Sequence, residues 1–287
     1  MREADKLIID KRIEEKYGHV KRFNFKWLYD FCELCERSNV SKEKMNLLIK
    51  CLLSDKNLEC MEKSKFLLDS KQEKTFFEYV YGLKKTDFAT YLSNGLKYAL
   101  ENTNEKGNII DSFIKYIVIT NFKDVYINSS LPMLNANNTA EISCFIGGLE
   151  ICHNRNIQIR EDNQQQIEFE WLHTRPNLQG IKLGSLLFKE FFKQVHNLFP
   201  DKDIIARNVL KSNTNAQRFY VKQGGEIFDV ETEKIIKIED VNCEEKGNVG
   251  VIFSRDKLVK LSEREIIPPQ IDRKYDFNKK QQEKESV

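Results

Sequence analysis

Two glutamates, Glu168 and Glu170, alternate with aromatic residues in segment 167–173. Alternate side chains of an extended strand point to one face, so this spacing predicts that the two carboxylates lie side by side. If that face lines a cleft, either carboxylate can act as a general base, directly or through a water molecule. The other interpretation is a pair of solvated acids on a half-exposed strand. His173 falls on the opposite face of the predicted strand and is interpreted as a structural residue.

A loop with two glycines follows this strand and opens a predicted helix. The N–H groups of such a turn, continued by the unpaired N–H groups of a helix N-terminus, form a positive concavity that suits a pyrophosphate. Gly180 and Gly184 lack the side chains that would keep the backbone away from phosphate oxygens. The other interpretation is tight packing at a common strand–turn–helix connection. The residues predicted to bind the phosphates are Gln179, Gly180, Ile181, Lys182, Leu183, Gly184 and Ser185.

A second strand and helix follow at residues 204–209 and 213–223. Asn213 stands at the start of this helix, where its side chain can hydrogen-bond amide groups of a bound ligand. Tyr220, two turns further along, can present its phenol to the same cleft, or it can be a core aromatic residue. The helix is predicted to end at Gly224 in a left-handed C-terminal cap.

The order strand, Q-G-I-K-L-G loop, helix, strand and N-x-x-A-x-x-F-Y helix resembles the acetyl-CoA-binding core of the GNAT acetyltransferase superfamily. The match covers about 60 residues well and about 150 loosely. In that family the loop reads Gln/Arg-x-x-Gly-x-Gly/Ala. Gln179 and Gly184 match its first and last positions, and Lys182 replaces its middle glycine. After the tyrosine helix this chain has Gly224 and Gly225, where the family usually has Gly-Phe.

The resemblance implies N-acetyl transfer from acetyl-CoA to an amine acceptor, by direct transfer in a ternary complex. It implies that the loop amides hold the CoA pyrophosphate and that Asn213 contacts the pantetheine or its ordered water. The backbone at Leu172 and His173 would pair with the pantetheine like an added strand. Tyr220 would donate a proton to the departing CoA thiolate. Glu168 is favoured as the general base, with the other glutamate of the pair as the alternative.

The pattern of apolar residues predicts three regions. Residues 1–107 show helical periodicity, with the clearest apolar stripe between Phe88 and Ala99. In residues 108–262, short apolar runs at 142–146, 167–173, 204–209, 235–238 and 249–253 predict strands, and 184–198 and 213–223 predict helices. Residues 263–287 form a polar tail that is expected to be flexible. The predicted fold class is α+β, a GNAT-type mixed, mostly antiparallel splayed sheet flanked by helices and preceded by an all-helical N-terminal region.

The start of the GNAT-like region is left open by the sequence. The family places one strand and two helices before its central antiparallel strands. Either residues 87–100 supply part of those helices, or the helices are missing and residues 111–132 are rearranged.

Composition limits the classes of partner and location. The net charge is +2, from 46 basic and 44 acidic residues, which gives no global argument for nucleic acid or an anionic membrane. No apolar run approaches the ~20 residues that cross a bilayer. Seven cysteines without an export signal predict reduced thiols and a cytoplasmic protein. Cys32 and Cys35 form a C-x-x-C pair on a predicted amphipathic helix, so we interpret them as buried thiols rather than zinc ligands, and no metal is expected.

Two functions of other classes stay open. One is a GNAT fold that binds CoA, or keeps only its shape, as a non-catalytic or regulatory module. The other is a helical interaction protein in which the N-terminal region is active and the GNAT-like domain is accessory. The amine acceptor, the role of the N-terminal region and the oligomeric state are not predicted.

Overall fold

The computed structural model describes residues 70–83, 88–102, 109–272 and Tyr275, with isolated positions at 11, 33 and 36. The helices predicted in the first 69 residues, and the Cys32–Cys35 pair, lie outside the described residues. Within the described residues, every helix is too short or too polar to span a bilayer. That same part contains no group of three or more His, Cys, Asp or Glu residues that could hold a metal ion.

From residue 70 onward, the described part of the chain begins with three helices: α1 (Ser70–Gly82), α2 (Phe88–Asn102) and α3 (Ile109–Thr120). The apolar stripe predicted for α2 packs on α3, and a side chain at Gly95 would come within 2.8 Å of the Tyr116 ring. Glycine is therefore required where the two helices cross. On α1, Tyr79 covers the turn between two strands, where a Cβ at Gly147 would lie 2.6 Å from its ring.

Eight strands form one sheet in the order β1-β2-β3-β4-β6-β8-β7, with β5 also paired to β3. Only β4 and β6 pair in parallel; the other neighbours are antiparallel. Helices α4 (Leu183–Leu198), α5 (Thr214–Lys222) and α6 (Arg255–Ser262) complete the described part, and the predicted α+β class is confirmed. The strands are β1 (Tyr126–Ser129), β2 (Ala140–Ile146), β3 (Leu149–Ile159), β4 (Gln166–Glu168), β5 (Trp171–Thr174), β6 (Asp203–Leu210), β7 (Glu226–Asp229) and β8 (Asn248–Phe253).

Helices α2 and α3 precede β1, with a 3-10 turn at Phe122–Asp124 between α3 and β1, and β1 leads to β2 through a short segment that contains a 3-10 turn at Leu131–Met133. No α-helix therefore lies between these two strands. Residues 88–100 are helical and precede β1, but the choice between the two alternatives for the start of the domain stays a prediction.

Two local predictions were wrong. The run at 235–238 is not a strand: Ile235 makes one isolated bridge to Phe228 and is 58% exposed. The apolar run at 109–120 forms α3, a helix, although it was assigned to the strand-rich region. Nine of its twelve residues are buried, so most of the surface of this helix is apolar.

A single hydrophobic core extends across the predicted boundary at residue 107. The rings of α4 pack on the sheet, with Phe192 and Phe253 centred 5.0 Å apart. Tyr275, in the predicted flexible tail, is buried against Tyr98 of α2 at a ring distance of 5.1 Å. Helices α2 and α3 thus share one core with the sheet.

Candidate active site

The sheet opens between β5 and β6. Strand β4 runs parallel to β6 as far as the pair Glu168 and Ile205, and the Phe169 N–H donates to the Ile205 carbonyl at 3.0 Å. Beyond this point β5 pairs with β3, while β6 continues beside β8 to Leu210. Two neighbouring strands that diverge in this way leave a V-shaped cleft, whose walls are the edges of β5 and of the second half of β6.

The predicted strand 167–173 is two strands, β4 and β5, separated by an irregular pair of residues. Phe169 packs on the phenylalanine rings of α4, and a Cβ at Gly184 of α4 would lie 4.0 Å from the Leu172 side chain. Phe169 and Leu172, three residues apart, therefore face the same helix. In a regular strand, residues three apart point to opposite faces of the sheet. This break in the alternation of side chains puts His173 on the same face of the sheet as Glu168. Its predicted position on the opposite face was wrong.

The hydrogen-bond register identifies which main-chain groups of β5 face the cleft. The Arg175 N–H donates to the Ile151 carbonyl at 3.3 Å, so Arg175 and Ile151 are a hydrogen-bonded pair. The next hydrogen-bonded pair along the two strands is His173 and His153. In an antiparallel pair, hydrogen-bonded positions recur every second residue. The N–H and C=O of Leu172 consequently point away from β3, toward the cleft. Backbone pairing with the pantetheine was predicted for both Leu172 and His173. Of the two, only Leu172 has main-chain groups that face the cleft, because the main chain of His173 is hydrogen-bonded to β3.

The loop before α4 offers a run of free amides. The N–H groups of residues 179–185 make no hydrogen bond to an acceptor in the described part of the chain, and the first bond of α4 is from Leu186 to Lys182. Gly180 and Lys182 both adopt left-handed conformations, with φ of 82° and 70°. Lys182, which stands where the resemblance has a glycine, thus keeps the turn with its side chain exposed.

Gly184 has a packing role that the phosphate interpretation did not require. A Cβ at this position would come 3.1 Å from the Phe219 ring of α5, so the glycine lets the two helices approach closely. The Gln223 side-chain amide donates to the Ser185 hydroxyl at 3.1 Å, which ties the end of α5 to the start of α4. The phosphate loop and the tyrosine helix therefore meet beside the cleft.

Asn213 and Tyr220 both belong to α5. The Asn213 Oδ1 accepts a hydrogen bond from the Ala216 N–H at 3.1 Å, so this oxygen caps the helix and only the amide Nδ2 remains for a ligand. Tyr220 is buried among the rings of Phe169, Phe188 and two other residues. Burial raises the pKa of its phenol well above 10, so the group stays protonated at neutral pH. The predicted left-handed end of the helix is present at Gly224, with φ of 99°.

The two glutamates have different surroundings. Glu168 is half-buried, and burial raises the pKa of its carboxyl above the ordinary value, against the opposing charges of Arg160 and Arg207. Glu170 lies in the irregular step between β4 and β5 and accepts a hydrogen bond from the Asn156 Nδ2 at 2.8 Å. Asn156 itself has a φ of 53°, so both strands are irregular at this point. A raised pKa makes the Glu168 carboxylate a stronger base.

A buried ion pair beside the loop was missed by the sequence interpretation. The Arg175 Nη1 donates to the Asp111 Oδ1 at 3.1 Å, and both side chains are 3% exposed. The Arg175 Nε also donates to the Glu150 carbonyl at 3.0 Å. Two residues further on, Asn177 Nδ2 donates to the Ser112 hydroxyl at 2.6 Å. These bonds attach the segment immediately before the phosphate loop to α3; a charged Asp111 inside an apolar run was the available signal.

A second missed cluster lies on the open face of β3 and β5. The His153 and His173 rings are centred 5.4 Å apart, and the Glu150 carboxylate lies 3.4 Å from the His153 Nδ1. Although burial opposes it, the nearby His153 ring, the hydrogen bond from the Ser143 hydroxyl and the charge of Arg155 lower the pKa of Glu150 to about 2. The acid is therefore ionised throughout the physiological range. Only the tertiary pairing of β3 with β5 brings these side chains together.

No protein-family profile and no curated protein matches the chain. Solved structures do match it. Arabidopsis thaliana Naa50, in complex with the bisubstrate analogue CoA-Ac-MVNAL, is 20% identical over 40% of this chain and 72% of its own, with a TM-score of 0.31. YncA of Salmonella typhimurium, an acetyltransferase with acetyl-CoA, is 11% identical over 63% and 91%, with a TM-score of 0.32. A Streptococcus pneumoniae acetyltransferase described as of the GNAT family is 16% identical over 57% and 90%, with a TM-score of 0.31.

Proposed function

We propose that this chain is an N-acyltransferase that moves an acetyl group from acetyl-CoA to an amine acceptor in a ternary complex. One observation carries the proposal: the free main-chain edge at Leu172 and the free amides of residues 179–185 border the same cleft. Acetyl-CoA combines a diphosphate with an amide-containing arm that ends in a thioester. Free amides at a helix N-terminus suit the diphosphate, and an unpaired strand edge suits the amides of the arm.

Each part of the chain has a separate task in this scheme. The amides of 179–185 bind the diphosphate, and the Leu172 N–H and C=O hold the arm by strand addition. The Asn213 Nδ2, the group left over from helix capping, donates to the arm. When bound, acetyl-CoA supplies the activated acyl group, and most of the acceleration comes from holding the amine against it.

Two proton transfers complete the reaction. The amine must lose a proton, and Glu168 is the proposed base because burial raises the pKa of its carboxyl and so strengthens it as a base. Glu170 is the alternative base. The leaving sulfur must gain a proton, and Tyr220 is the proposed donor because burial keeps its phenol protonated.

A titration of the full chain with acetyl-CoA tests the binding step. We expect saturable heat with acetyl-CoA, and release of free thiol when an effective amine is added from an acceptor library. A complete lack of heat with every acyl-CoA would end the proposal.

Tyr220→Phe tests the chemical step. The substitution keeps the ring contacts with Phe169 and Phe188, so acetyl-CoA affinity is expected to stay at the parent level. Turnover is expected to fall by about 10²-fold or more, the usual contribution of a positioned acid. Parental turnover would remove the acid role from Tyr220.

A second candidate function has its own support. Tyr220 packs on four aromatic rings, and its hydroxyl makes no hydrogen bond within the described residues. A purely structural tyrosine would look the same, and the protein would then bind CoA as a module without turnover. Acetyl-CoA binding without thiol release across the acceptor library would favour this function.

A further inference from the structure

A cavity of about 280 Å³ lies on the sheet face opposite α4. It includes Ile205, the β6 partner of Glu168. Its walls combine an apolar floor with charged groups at the rim, among them Arg160 and Arg207. The apolar floor consists of Ile205, Phe228 and Ile252. A pocket with an apolar floor and a few polar groups is the usual form of a small-molecule site.

The two arginines of this cavity differ in how many of their guanidinium nitrogens have a hydrogen-bond partner. Arg160 donates from Nε to the Asp162 Oδ1 at 2.8 Å and from Nη2 to the other oxygen of the same carboxylate. Its third nitrogen, Nη1, donates to the Gln166 Oε1 at 2.7 Å. The Nε and Nη2 groups lie on one edge of the guanidinium, spaced for the two oxygens of a carboxylate. Every nitrogen of Arg160 therefore has a partner within the protein.

On the corresponding edge of the Arg207 guanidinium, only one of the two nitrogens has a hydrogen-bond partner. Its Nη2 donates to Glu233, whereas its Nε is buried and has no hydrogen-bond partner among the described residues. The Arg207 side chain is 24% exposed and that of Glu233 is 66% exposed. A buried donor without a partner is uncommon and calls for a missing acceptor. An incoming carboxylate can take both Nε and Nη2 and displace Glu233 into solvent, so the charge in the cavity stays the same.

We propose that Arg207 binds the carboxylate of the acceptor, and that the acceptor is an amino carboxylic acid with an apolar side chain. This inference rests on the proposed function, because only an acyltransferase would use the bound ligand as its acceptor. The apolar side chain fits the floor at Ile205, Phe228 and Ile252. Arg207 follows Ile205 by two residues on β6, just where β5 and β6 separate, so a carboxylate held there keeps the amine near Glu168 and the cleft. Glu233 occupies the carboxylate position when no acceptor is bound.

The test measures binding to the full chain by calorimetry without any acyl-CoA. The probes are N-acetyl-L-leucine and N-acetyl-L-leucinamide, which share the apolar side chain and differ in the carboxylate. We expect the acid to bind at least tenfold more tightly than the amide. Arg207→Gln is expected to abolish this preference. Equal affinities for the two probes, or an undiminished preference in Arg207→Gln, would overturn the proposal.

Glu233→Gln gives a second result with the opposite sign. It removes the competing carboxylate, so N-acetyl-L-leucine is expected to bind severalfold more tightly than it binds the parent. If the Arg207–Glu233 pair is only structural, the affinity stays the same or falls, and the proposal fails. Glu245→Gln is the matched control, because Glu245 pairs with Lys211 at 2.9 Å and does not line the cavity; it is expected to leave the affinity unchanged.

Acetyl transfer to L-leucine and to 3-methylbutylamine, which lacks the carboxylate, separates this inference from the proposed function. Equal kcat/KM for the two amines overturns the carboxylate site and leaves the transferase standing. Arg207-dependent binding of N-acetyl-L-leucine, without any binding of acetyl-CoA, supports the carboxylate site and removes the transferase.

Discussion

The buried pair of Asp111 and Arg175 gives the strongest test of how the loop at the cleft is held. Asp111 lies on α3, and Arg175 directly follows β5, four residues before the loop of free amides at 179–185. Their charged atoms are 3.1 Å apart, and each side chain is 3% exposed. Asp111→Ala would leave the guanidinium buried with its hydrogen bond to the Glu150 carbonyl but without this carboxylate.

The expected loss of stability follows from the burial of both charges. Removing one member of a buried ion pair costs about 3–5 kcal/mol, because the remaining charge stays desolvated without compensation. The whole free energy of unfolding of such a chain is about 5–15 kcal/mol. Replacing both residues by apolar ones of similar size, as in Asp111→Leu with Arg175→Met, removes the uncompensated charge and is expected to cost much less.

Urea unfolding followed by circular dichroism measures this difference. The single variant is expected to show a much lower midpoint than the parent, and the double variant is expected to recover most of the loss. Glu245→Gln, at an exposed ion pair, serves as the control and is expected to leave the midpoint unchanged. An Asp111→Ala variant that loses less than about 1 kcal/mol, or a double variant no better than the single one, would refute the reasoning.

Three further substitutions have defined outcomes. Gly184→Ala places a Cβ 3.1 Å from the Phe219 ring, so it is expected to lower the free energy of unfolding by about 1–3 kcal/mol; an unchanged urea midpoint would contradict the close contact of α4 and α5. Glu168→Gln is expected to reduce turnover and yet raise stability at neutral pH. The raised pKa of Glu168 stabilises the fold below the ordinary carboxyl pKa, and this contribution is lost as the pH rises through the raised value. The gain in melting temperature should therefore be larger at pH 8 than at pH 4, and a gain that is the same at both would exclude the effect. Glu150 stabilises the fold above its ordinary pKa of 4.5, and this contribution is lost as the pH falls toward about 2; Glu150→Gln should flatten acid unfolding in that window, and an unaltered acid transition would argue against it.

Much of the local structure could be predicted because it depends on neighbouring residues along the chain. The helix that starts after Asn213 has its capping oxygen on that residue, and it ends at a glycine with positive φ, as the pattern indicated. The helix predicted at 184–198 begins at Leu183, and the strand predicted at 204–209 extends from Asp203 to Leu210. Caps, glycine turns and amphipathic stripes are local interactions, so their signals are present in the linear order of residues.

Other features required the tertiary structure because they depend on residues far apart in the chain. The irregular step between β4 and β5 arises because β4 pairs with β6 and β5 pairs with β3, and it moves His173 to the face of Glu168. The period-2 pattern contains no sign of this change of partner. The hydrogen bond of the Arg207 Nη2 likewise joins it to a distant residue, Glu233, which is 26 residues away in the chain.

The sequence alone determined the order of the strand, phosphate loop, helix and tyrosine helix, since each is specified by turn residues and periodicity over a few turns. Tertiary pairing alone decided which side chains share a face, which main-chain groups stay free at the cleft and which charges are buried. The physical reason is that strand register and desolvation are set by contacts between distant segments. Asp111 and Arg175, 64 residues apart, form their ion pair only once α3 has packed beside the end of β5.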